Sequence, residues 1–106
     1  MAGGTASQDV LHEIEAVLAE RLATRPEGSY SLTLLTDVEQ VQRKIVEEAF
    51  ELSLELGRSG RPEFAPERVA AEAADVVFHV LAGLVAVGVD LDAVLAELQA
   101  RRKGAR

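Results

Sequence analysis

The 106-residue sequence lacks cysteine and tryptophan, and it has only three prolines and 4% aromatic residues. The absence of cysteine excludes disulfide frameworks, thiol nucleophiles and cysteine-ligated zinc or iron–sulfur sites, so packing alone must hold the fold together. The rest of the composition is ordinary, with 48% hydrophobic and 27% charged residues. This composition predicts a single compact domain rather than a disordered or fibrous chain.

Positive charge is scarce as well. Eleven Lys and Arg residues stand against eighteen Asp and Glu residues, which gives a net charge of −7. Because so acidic a surface repels phosphate backbones, we expect no binding of nucleic acid, and an anionic ligand would need a cation. The sequence has no basic and apolar leader, and its longest uncharged stretch, 76–89, is shorter than the roughly 20 residues of a membrane span. We therefore expect a soluble, cytoplasmic protein that does not contact a membrane.

The N-terminal part of the chain predicts one helix and one loop. Residues 1–8 are small or polar, and we expect them to be disordered. Hydrophobic residues then recur at intervals of three and four, which predicts an amphipathic helix over 9–24 with Ser7 or Asp9 as its cap. The segment 24–36 contains proline, glycine and serine and is predicted to be a loop.

Three more helices are predicted beyond that loop. Thr36 and Glu39 fit a capping box at the start of the second helix, which ends at Gly57. A loop leads to Pro66, which suits the first turn of the third helix. Asp90 is the expected N-cap of a short fourth helix. No segment has the pattern of a strand, so we predict an all-α bundle of four to five helices.

The third helix is hydrophobic on almost every side. Within 69–89 the strongly polar side chains are those of Glu72, Asp75 and His79. A helix of this kind must be buried on every side, which a monomeric bundle of this size hardly achieves, so we predict a homodimer or a larger assembly. The single domain is expected to span 9–100, and 101–106 to form a basic, frayed tail.

Acidic side chains are concentrated on one face of the second helix. On a helical wheel an arc of about 100° contains five charged residues, namely Lys44, Glu47, Glu48, Glu51 and Glu55. Hydrophobic residues flank this arc on both sides. On the third helix Glu72, Asp75 and His79 also share one narrow face, because they are spaced i, i+3 and i+7.

Carboxylates in such surroundings need a positive partner. Unpaired charges in an apolar environment are costly, and neighbouring carboxylates repel each other. The nearby cationic residues, Lys44, Arg43 and Arg68, are too few to neutralise the cluster. A divalent cation meets the need, and oxygen ligands without cysteine favour Mg²⁺ or Mn²⁺ over Zn²⁺.

Each candidate residue also has a purely structural interpretation. The acids of the second helix can form a solvated face, and Glu72 and Asp75 can belong to an ion pair. His79 can be a hydrogen-bonded core histidine, and Lys44 an ordinary i, i+4 partner of Glu48. Ser29 and Tyr30 can be turn residues in the first loop.

Four segments together resemble a known enzyme family. They are Ser29-Tyr30, the run KIVEEAFE that starts at Lys44, the run EAADVVFH that starts at Glu72, and the run GVDLDAV that starts at Gly88. In this order they resemble the phosphoribosyl-ATP pyrophosphohydrolases of histidine biosynthesis, which belong to the all-α, MazG-like nucleotide pyrophosphohydrolases. The chain differs from the usual family pattern at Val46, where glycine is common, and at Phe78, where tyrosine is common.

The resemblance implies a dimeric, Mg²⁺-dependent enzyme that converts phosphoribosyl-ATP to phosphoribosyl-AMP and pyrophosphate. Its implied metal ligands are Glu48, Glu51, Glu72 and Asp75. Glu47 belongs to the same acidic shell. Glu47 and Glu48 are the candidate catalytic residues, and we expect a metal ion or Glu47 to deprotonate the attacking water. As substrate-binding candidates, we expect Lys44 to contact phosphate oxygens, and Ser29, Tyr30 and His79 either to touch the substrate or to support the residues that do.

Two alternatives remain open from the sequence. The first keeps the fold but changes the substrate, as in a house-cleaning pyrophosphatase of nucleoside triphosphates. The second is a helical oligomerisation module without enzymatic activity, whose acidic face meets a basic partner. Divalent cations would stabilise the enzyme and leave the module unaffected.

Overall fold

The protein is described by a computed structural model that covers residues 3–104, with side chains from residue 10 onward except at 103. Within this range the chain forms five α-helices and no strand. They are α1 (Gly3–Thr24), α2 (Tyr30–Leu35), α3 (Val38–Leu56), α4 (Pro66–Val87) and α5 (Leu91–Lys103). The predicted all-α bundle of four to five helices is confirmed.

The outer ends of the bundle differ from the prediction. Helix α1 begins at Gly3, so the backbone at Ser7 and Asp9 lies within the helix, and neither residue caps it. Of the predicted disordered segment 1–8, the first two residues lie outside the described range. The other six form the first turns of α1. Helix α5 likewise continues into the predicted tail and ends at Lys103. The last two residues lie outside the described range.

The predicted loop over 24–36 contains a helix that the sequence analysis missed. Ser29 is the N-cap of α2, and its hydroxyl accepts a hydrogen bond from the backbone N–H of Leu32 at 3.2 Å. At the other end of α2, Leu34 and Leu35 are buried in the core. This six-residue helix forms because a cap fixes its start and two leucines anchor its end.

The start of α3 corrects a second prediction. Its N-cap is Asp37, whose carboxylate accepts a hydrogen bond from the backbone N–H of Gln40 at 3.3 Å. Thr36 instead ends α2, where its backbone N–H donates to the carbonyl of Leu32 at 3.0 Å. The capping box predicted at Thr36 and Glu39 is therefore wrong, because the end of α2 uses the threonine. The predicted end of α3 at Gly57 is confirmed.

Helix α4 begins at Pro66 as predicted, and Gly88 ends it in the left-handed conformation at φ 76°. This conformation is easily reached only by glycine. Asp90 occupies the N-cap position of α5, but its side chain makes no capping hydrogen bond. A carboxylate of α1, that of Glu15, accepts from the backbone N–H of Leu91 instead.

Helices α3 and α4 form the most extensive helix pair of the bundle. They approach closely at Gly83, where an added Cβ would lie only 3.0 Å from Val41 Cγ1. The core comprises Leu18, Leu34, Leu35, Val41, Leu81, Ala82 and Leu91. The packing of α3 on α4 brings the two acidic helix faces together.

Much of α4 is not covered by its own chain. Val77, Val80 and Val87 are among the exposed large hydrophobic residues. By length and composition α4 could cross a membrane, although the core helix of a soluble protein passes the same test. Helix α3 adds a second exposed group at Val46 and Phe50. The structure thus has uncovered apolar surface of the kind that the predicted homodimer would bury.

Candidate metal centre

Three carboxylates from the two central helices converge on one point. Glu48 projects from α3, and Glu72 and Asp75 project from α4. Each offers one oxygen, and the three oxygens lie within 4.8 Å of one another. The i, i+3 spacing of Glu72 and Asp75 places both on the face of α4 that meets Glu48, so the structure brings together three of the four predicted metal ligands.

The electrostatics of this cluster are unfavourable without a cation. Desolvation raises the pKa of Glu72 above its ordinary value, and the charge of Asp75 raises it further, followed by those of Glu51, Glu48 and Glu55. Among the side chains that the structure describes, neither Glu72 nor Asp75 forms an ion pair with Lys or Arg. Hard divalent cations prefer carboxylate oxygens, so the arrangement suits such an ion.

Glu51, the fourth predicted ligand, lies outside the group of three. Its side chain is on the exposed side of α3, one turn after Glu48. Its charge nevertheless contributes to the raised pKa of Glu72, which places it near the cluster. Glu51 therefore borders the three-carboxylate site.

Lys44 and Glu47 lie at the other border of the cluster. The Lys44 ammonium pairs with Glu48 at 3.3 Å and with Glu47 at 3.4 Å. The hydrogen bond to Glu48 is the main cause of the raised pKa of Lys44. Glu48 thus faces a fixed positive charge on one side and two carboxylates on the other, while the Glu47 side chain is 56% exposed.

Glu55, the last residue of the acidic face, is paired with two arginines. Arg58 binds its Oε2 at 2.9 Å, and Arg68 binds its Oε1 at 3.3 Å. Arg68 also donates to the carbonyl oxygen of Glu63 at 2.6 Å. Arg68 lies one turn before Glu72 in the sequence, but in the fold it pairs with Glu55. Of the two ion pairs of Glu55, the sequence indicates only the pair with Arg58, because these residues are spaced i, i+3.

His79 lies in the core, with 6% of its surface exposed. Its Nδ1 donates to the carbonyl oxygen of Asp75 at 2.7 Å, because a carbonyl can only accept. In the neutral ring Nε2 is then an acceptor, and the Tyr30 hydroxyl donates to it at 3.0 Å. Both ring nitrogens are engaged, so His79 is a hydrogen-bonded core histidine and has no nitrogen free for a metal in this arrangement.

The two predicted contact residues of the first loop have different settings. Ser29 is half-buried and caps α2. Tyr30 is 50% exposed, and it lies close enough to Lys44 to contribute to the raised pKa of the amine. Of this pair only Tyr30 presents a large, exposed side chain near Lys44.

Comparison with known proteins identifies the family of this chain. Residues 11–102 match the sequence profile of the family described as phosphoribosyl-ATP pyrophosphohydrolase. The phosphoribosyl-ATP pyrophosphatase of Metallosphaera sedula is 41% identical over 96 residues, covering 90% of this chain and 98% of the relative.

Two further relatives extend the comparison. The phosphoribosyl-ATP pyrophosphatase of Methanoregula boonei is 42% identical over 97 residues, covering 89% of this chain and 88% of the relative. The histidine biosynthesis bifunctional protein of Deinococcus radiodurans is 41% identical over 101 residues, covering 94% of this chain and 44% of the relative. The profile match and these identities show that the chain belongs to the phosphoribosyl-ATP pyrophosphohydrolase family.

Proposed function

We propose that this protein hydrolyses phosphoribosyl-ATP to phosphoribosyl-AMP and pyrophosphate in histidine biosynthesis, with Mg²⁺ or Mn²⁺ as cofactor. The observation that carries the proposal is the group formed by Glu48, Glu72 and Asp75, whose oxygens lie within 4.8 Å in a member of this family. Its relatives from Metallosphaera sedula and Methanoregula boonei are named as phosphoribosyl-ATP pyrophosphatases.

The chemistry of the donor set fits a hard divalent cation. Desolvation and then the neighbouring carboxylates raise the pKa of Glu72, and a cation would offset both effects by favouring its ionised form. Glu48, Glu72 and Asp75 would hold the ion, with Glu51 beside them. When bound, the cation would neutralise part of the triphosphate charge and would lower the pKa of water. Neutralisation of the triphosphate charge matters because a protein with a net charge of −7 would otherwise repel the substrate.

The remaining site residues act on the water and on the nucleotide. Glu47 is exposed beside Glu48 and is proposed as the base that takes a proton from the attacking water. Water oxygen then bonds to the α-phosphorus, and the bond to the bridging oxygen breaks to release pyrophosphate. Lys44 is proposed to contact phosphate oxygens, and Ser29 and Tyr30 to border the nucleotide. Lys44 would also stabilise the negative charge that develops on the phosphate oxygens.

We also propose that the protein is a soluble, cytoplasmic homodimer that binds neither nucleic acid nor membrane. The uncovered apolar residues of α3 and α4 support the dimer. Ionisable side chains within α4, at Glu72, Asp75 and His79, argue against its crossing a bilayer, where charged residues are costly.

Substrate comparison tests the proposal. Pyrophosphate release is measured with Mg²⁺ from phosphoribosyl-ATP, ATP and a panel of deoxynucleoside triphosphates. We expect a strong preference for phosphoribosyl-ATP. Preference for another triphosphate would favour a house-cleaning pyrophosphatase. Absence of pyrophosphate release from every substrate would favour the non-enzymatic module.

Site variants connect the activity to the three carboxylates. Glu48→Gln and Asp75→Asn are expected to abolish turnover while the far-ultraviolet circular dichroism stays unchanged. Glu20→Gln, at an exposed acid of α1, removes the same charge and should retain full activity. Activity retained by Asp75→Asn would contradict the assignment.

A further inference from the structure

A chain of two hydrogen bonds connects α2 with the metal-binding face of α4. The Tyr30 hydroxyl donates to His79 Nε2 at 3.0 Å, and His79 Nδ1 donates to the Asp75 carbonyl at 2.7 Å. The imidazole is buried, whereas the tyrosine side chain is 50% exposed. These two hydrogen bonds therefore connect the backbone of Asp75, a proposed metal ligand, with an exposed side chain near Lys44.

We propose that His79 is a positioning residue, which does not touch the nucleotide but holds the Tyr30 side chain beside Lys44 so that the tyrosine contacts bound phosphoribosyl-ATP. This inference rests on the proposed function for the identity of the nucleotide. Of the two roles expected for His79, a substrate contact or an indirect role, the two hydrogen bonds favour the indirect one.

The orientation of the imidazole is fixed from several sides. Phe78 packs edge to face against it, with ring centroids 5.3 Å apart and planes at 90°. The Tyr30 ring approaches at 6.2 Å and 81°. Because Nδ1 must donate to the Asp75 carbonyl, the neutral ring presents an acceptor to Tyr30. An imidazole held in this orientation fixes the position of the Tyr30 hydroxyl through the hydrogen bond at Nε2.

Tyr30 needs such a tether because of its place in the fold. It is the first residue of a six-residue helix, in which Leu34 and Leu35 are buried at the opposite end. Helix ends fray, and short helices are marginal without tertiary contacts. The bond to His79 ties this exposed end to α4, while Ser29 only caps the backbone of Leu32.

Two conservative variants separate the two bonds of His79. The His79→Asn amide lies where Nδ1 lies and can still donate to Asp75, but it is too short to reach Tyr30. The His79→Gln amide reaches further and can accept from Tyr30. We expect His79→Asn to raise KM for phosphoribosyl-ATP about three- to tenfold, as for the loss of one hydrogen bond, with kcat within twofold of wild type. His79→Gln should largely restore KM, and Tyr30→Phe should resemble His79→Asn.

A spectroscopic measurement tests the tether without turnover. Tyr30 is the single tyrosine, and the chain has no tryptophan, so the near-ultraviolet circular dichroism of tyrosine reports on this side chain alone. The signal requires an immobilised ring. We expect it to weaken in His79→Asn and to persist in His79→Gln, with the Mg²⁺-induced rise in Tm the same in both variants as in wild type.

The outcomes distinguish the inference from the proposed function. An unchanged tyrosine signal and an unchanged KM in His79→Asn would overturn the inference and leave His79 as a packing residue. A fall in kcat together with loss of Mg²⁺ stabilisation would also overturn it, because His79 would then act through the carboxylates. If wild type hydrolyses no phosphoribosyl-ATP, the proposed function fails and the substrate contact fails with it, while the tyrosine signal still decides whether His79 immobilises Tyr30.

Discussion

The Glu15 carboxylate of α1 accepts a hydrogen bond from the backbone N–H of Leu91, the first residue of α5, with 2.8 Å between Oε2 and N. The N-terminus of a helix carries unpaired N–H groups and a partial positive charge, so a carboxylate stabilises it. A second contact lies nearby, where His12 Nε2 meets Asp92 Oδ1 at 2.7 Å. Helix α1 thus supplies the cap that Asp90 does not.

The first prediction concerns this cap. Glu15→Ala leaves the Leu91 N–H without its acceptor, and we expect a loss of about 1–2 kcal/mol in the free energy of unfolding. Urea denaturation followed by circular dichroism measures it. Glu13→Ala is the matched control, because Glu13 is exposed on the same helix and the substitution changes helix propensity equally. Equal stability of the two variants would show that the contact between Glu15 and α5 contributes nothing.

The missed helix and the misplaced caps have a common physical cause. Long amphipathic segments such as α3 are predicted well because hydrophobic periodicity accumulates over several turns. Helix α2 has six residues, fewer than two turns, and depends on the Ser29 cap and on buried leucines supplied by the tertiary fold. Likewise Thr36 and Asp37 are both good caps by residue type. The neighbouring end of α2 decides between them.

The second prediction concerns pH. The pKa of Glu72 is raised above 4.5 in the folded protein, mainly by desolvation. As pH rises through the window between 4.5 and the raised value, the folded state holds the proton that the unfolded state has lost. The free energy of unfolding therefore falls through this window as Glu72 ionises.

Glu72→Gln removes this loss of stability. In chelator, we expect the variant to be more stable than wild type at pH 7, with the difference shrinking as pH falls toward 4.5. Urea denaturation at several pH values, in the absence of divalent cations, measures the difference. A variant less stable than wild type at neutral pH would show that ionisation of Glu72 does not destabilise the folded protein.

The third prediction is that divalent cations stabilise the folded protein. An ion that binds only the folded state, at one hundred times its Kd, adds about 2.7 kcal/mol to the free energy of unfolding. We expect Tm to rise with Mg²⁺ or Mn²⁺ in wild type and to stay constant in Asp75→Asn. Differential scanning fluorimetry over a cation titration provides the measurement.

Glu47→Gln separates metal binding from catalysis. Glu47 pairs with Lys44 and lies outside the three-carboxylate group. Its amide variant should keep the rise in Tm with Mg²⁺ while pyrophosphate release falls by at least about 100-fold, as for removal of a general base. Loss of both would make Glu47 a metal ligand, and loss of neither would exclude it as the base.

The site was predictable only in part. The spacing of Glu72 and Asp75 on one helix face, and the acidic face of α3, were visible in the sequence. The roles of the individual acids depend on contacts between helices. Arg68 of α4 neutralises Glu55, and Glu48 instead of Glu51 joins the pair on α4. These choices follow from the rotation of α3 against α4, which periodicity does not specify.

The fourth prediction concerns the proposed homodimer. Val46, Phe50 and Leu54 follow one another at intervals of four along α3 and are exposed by 69%, 60% and 44%. Burial of a phenylalanine side chain contributes about 1.5–3 kcal/mol, and a two-fold interface buries both copies of each residue. Phe50→Lys should therefore weaken dimerisation by at least about 100-fold, since each 1.4 kcal/mol corresponds to a factor of ten. Sedimentation equilibrium should give about half the wild-type mass for the variant.

A second apolar surface provides the matched control. Leu98 is exposed by 56% and borders an apolar groove between α4 and α5. Leu98→Lys introduces the same charge there and should leave the mass of the dimer unchanged if the α3 face is the interface. The reverse result, with Leu98→Lys monomeric and Phe50→Lys dimeric, would show that the interface lies at the groove and not on the α3 face. That result would free the α3 face beside Glu47 and Glu51, so the acidic site would lie open to solvent on that side rather than against a second copy.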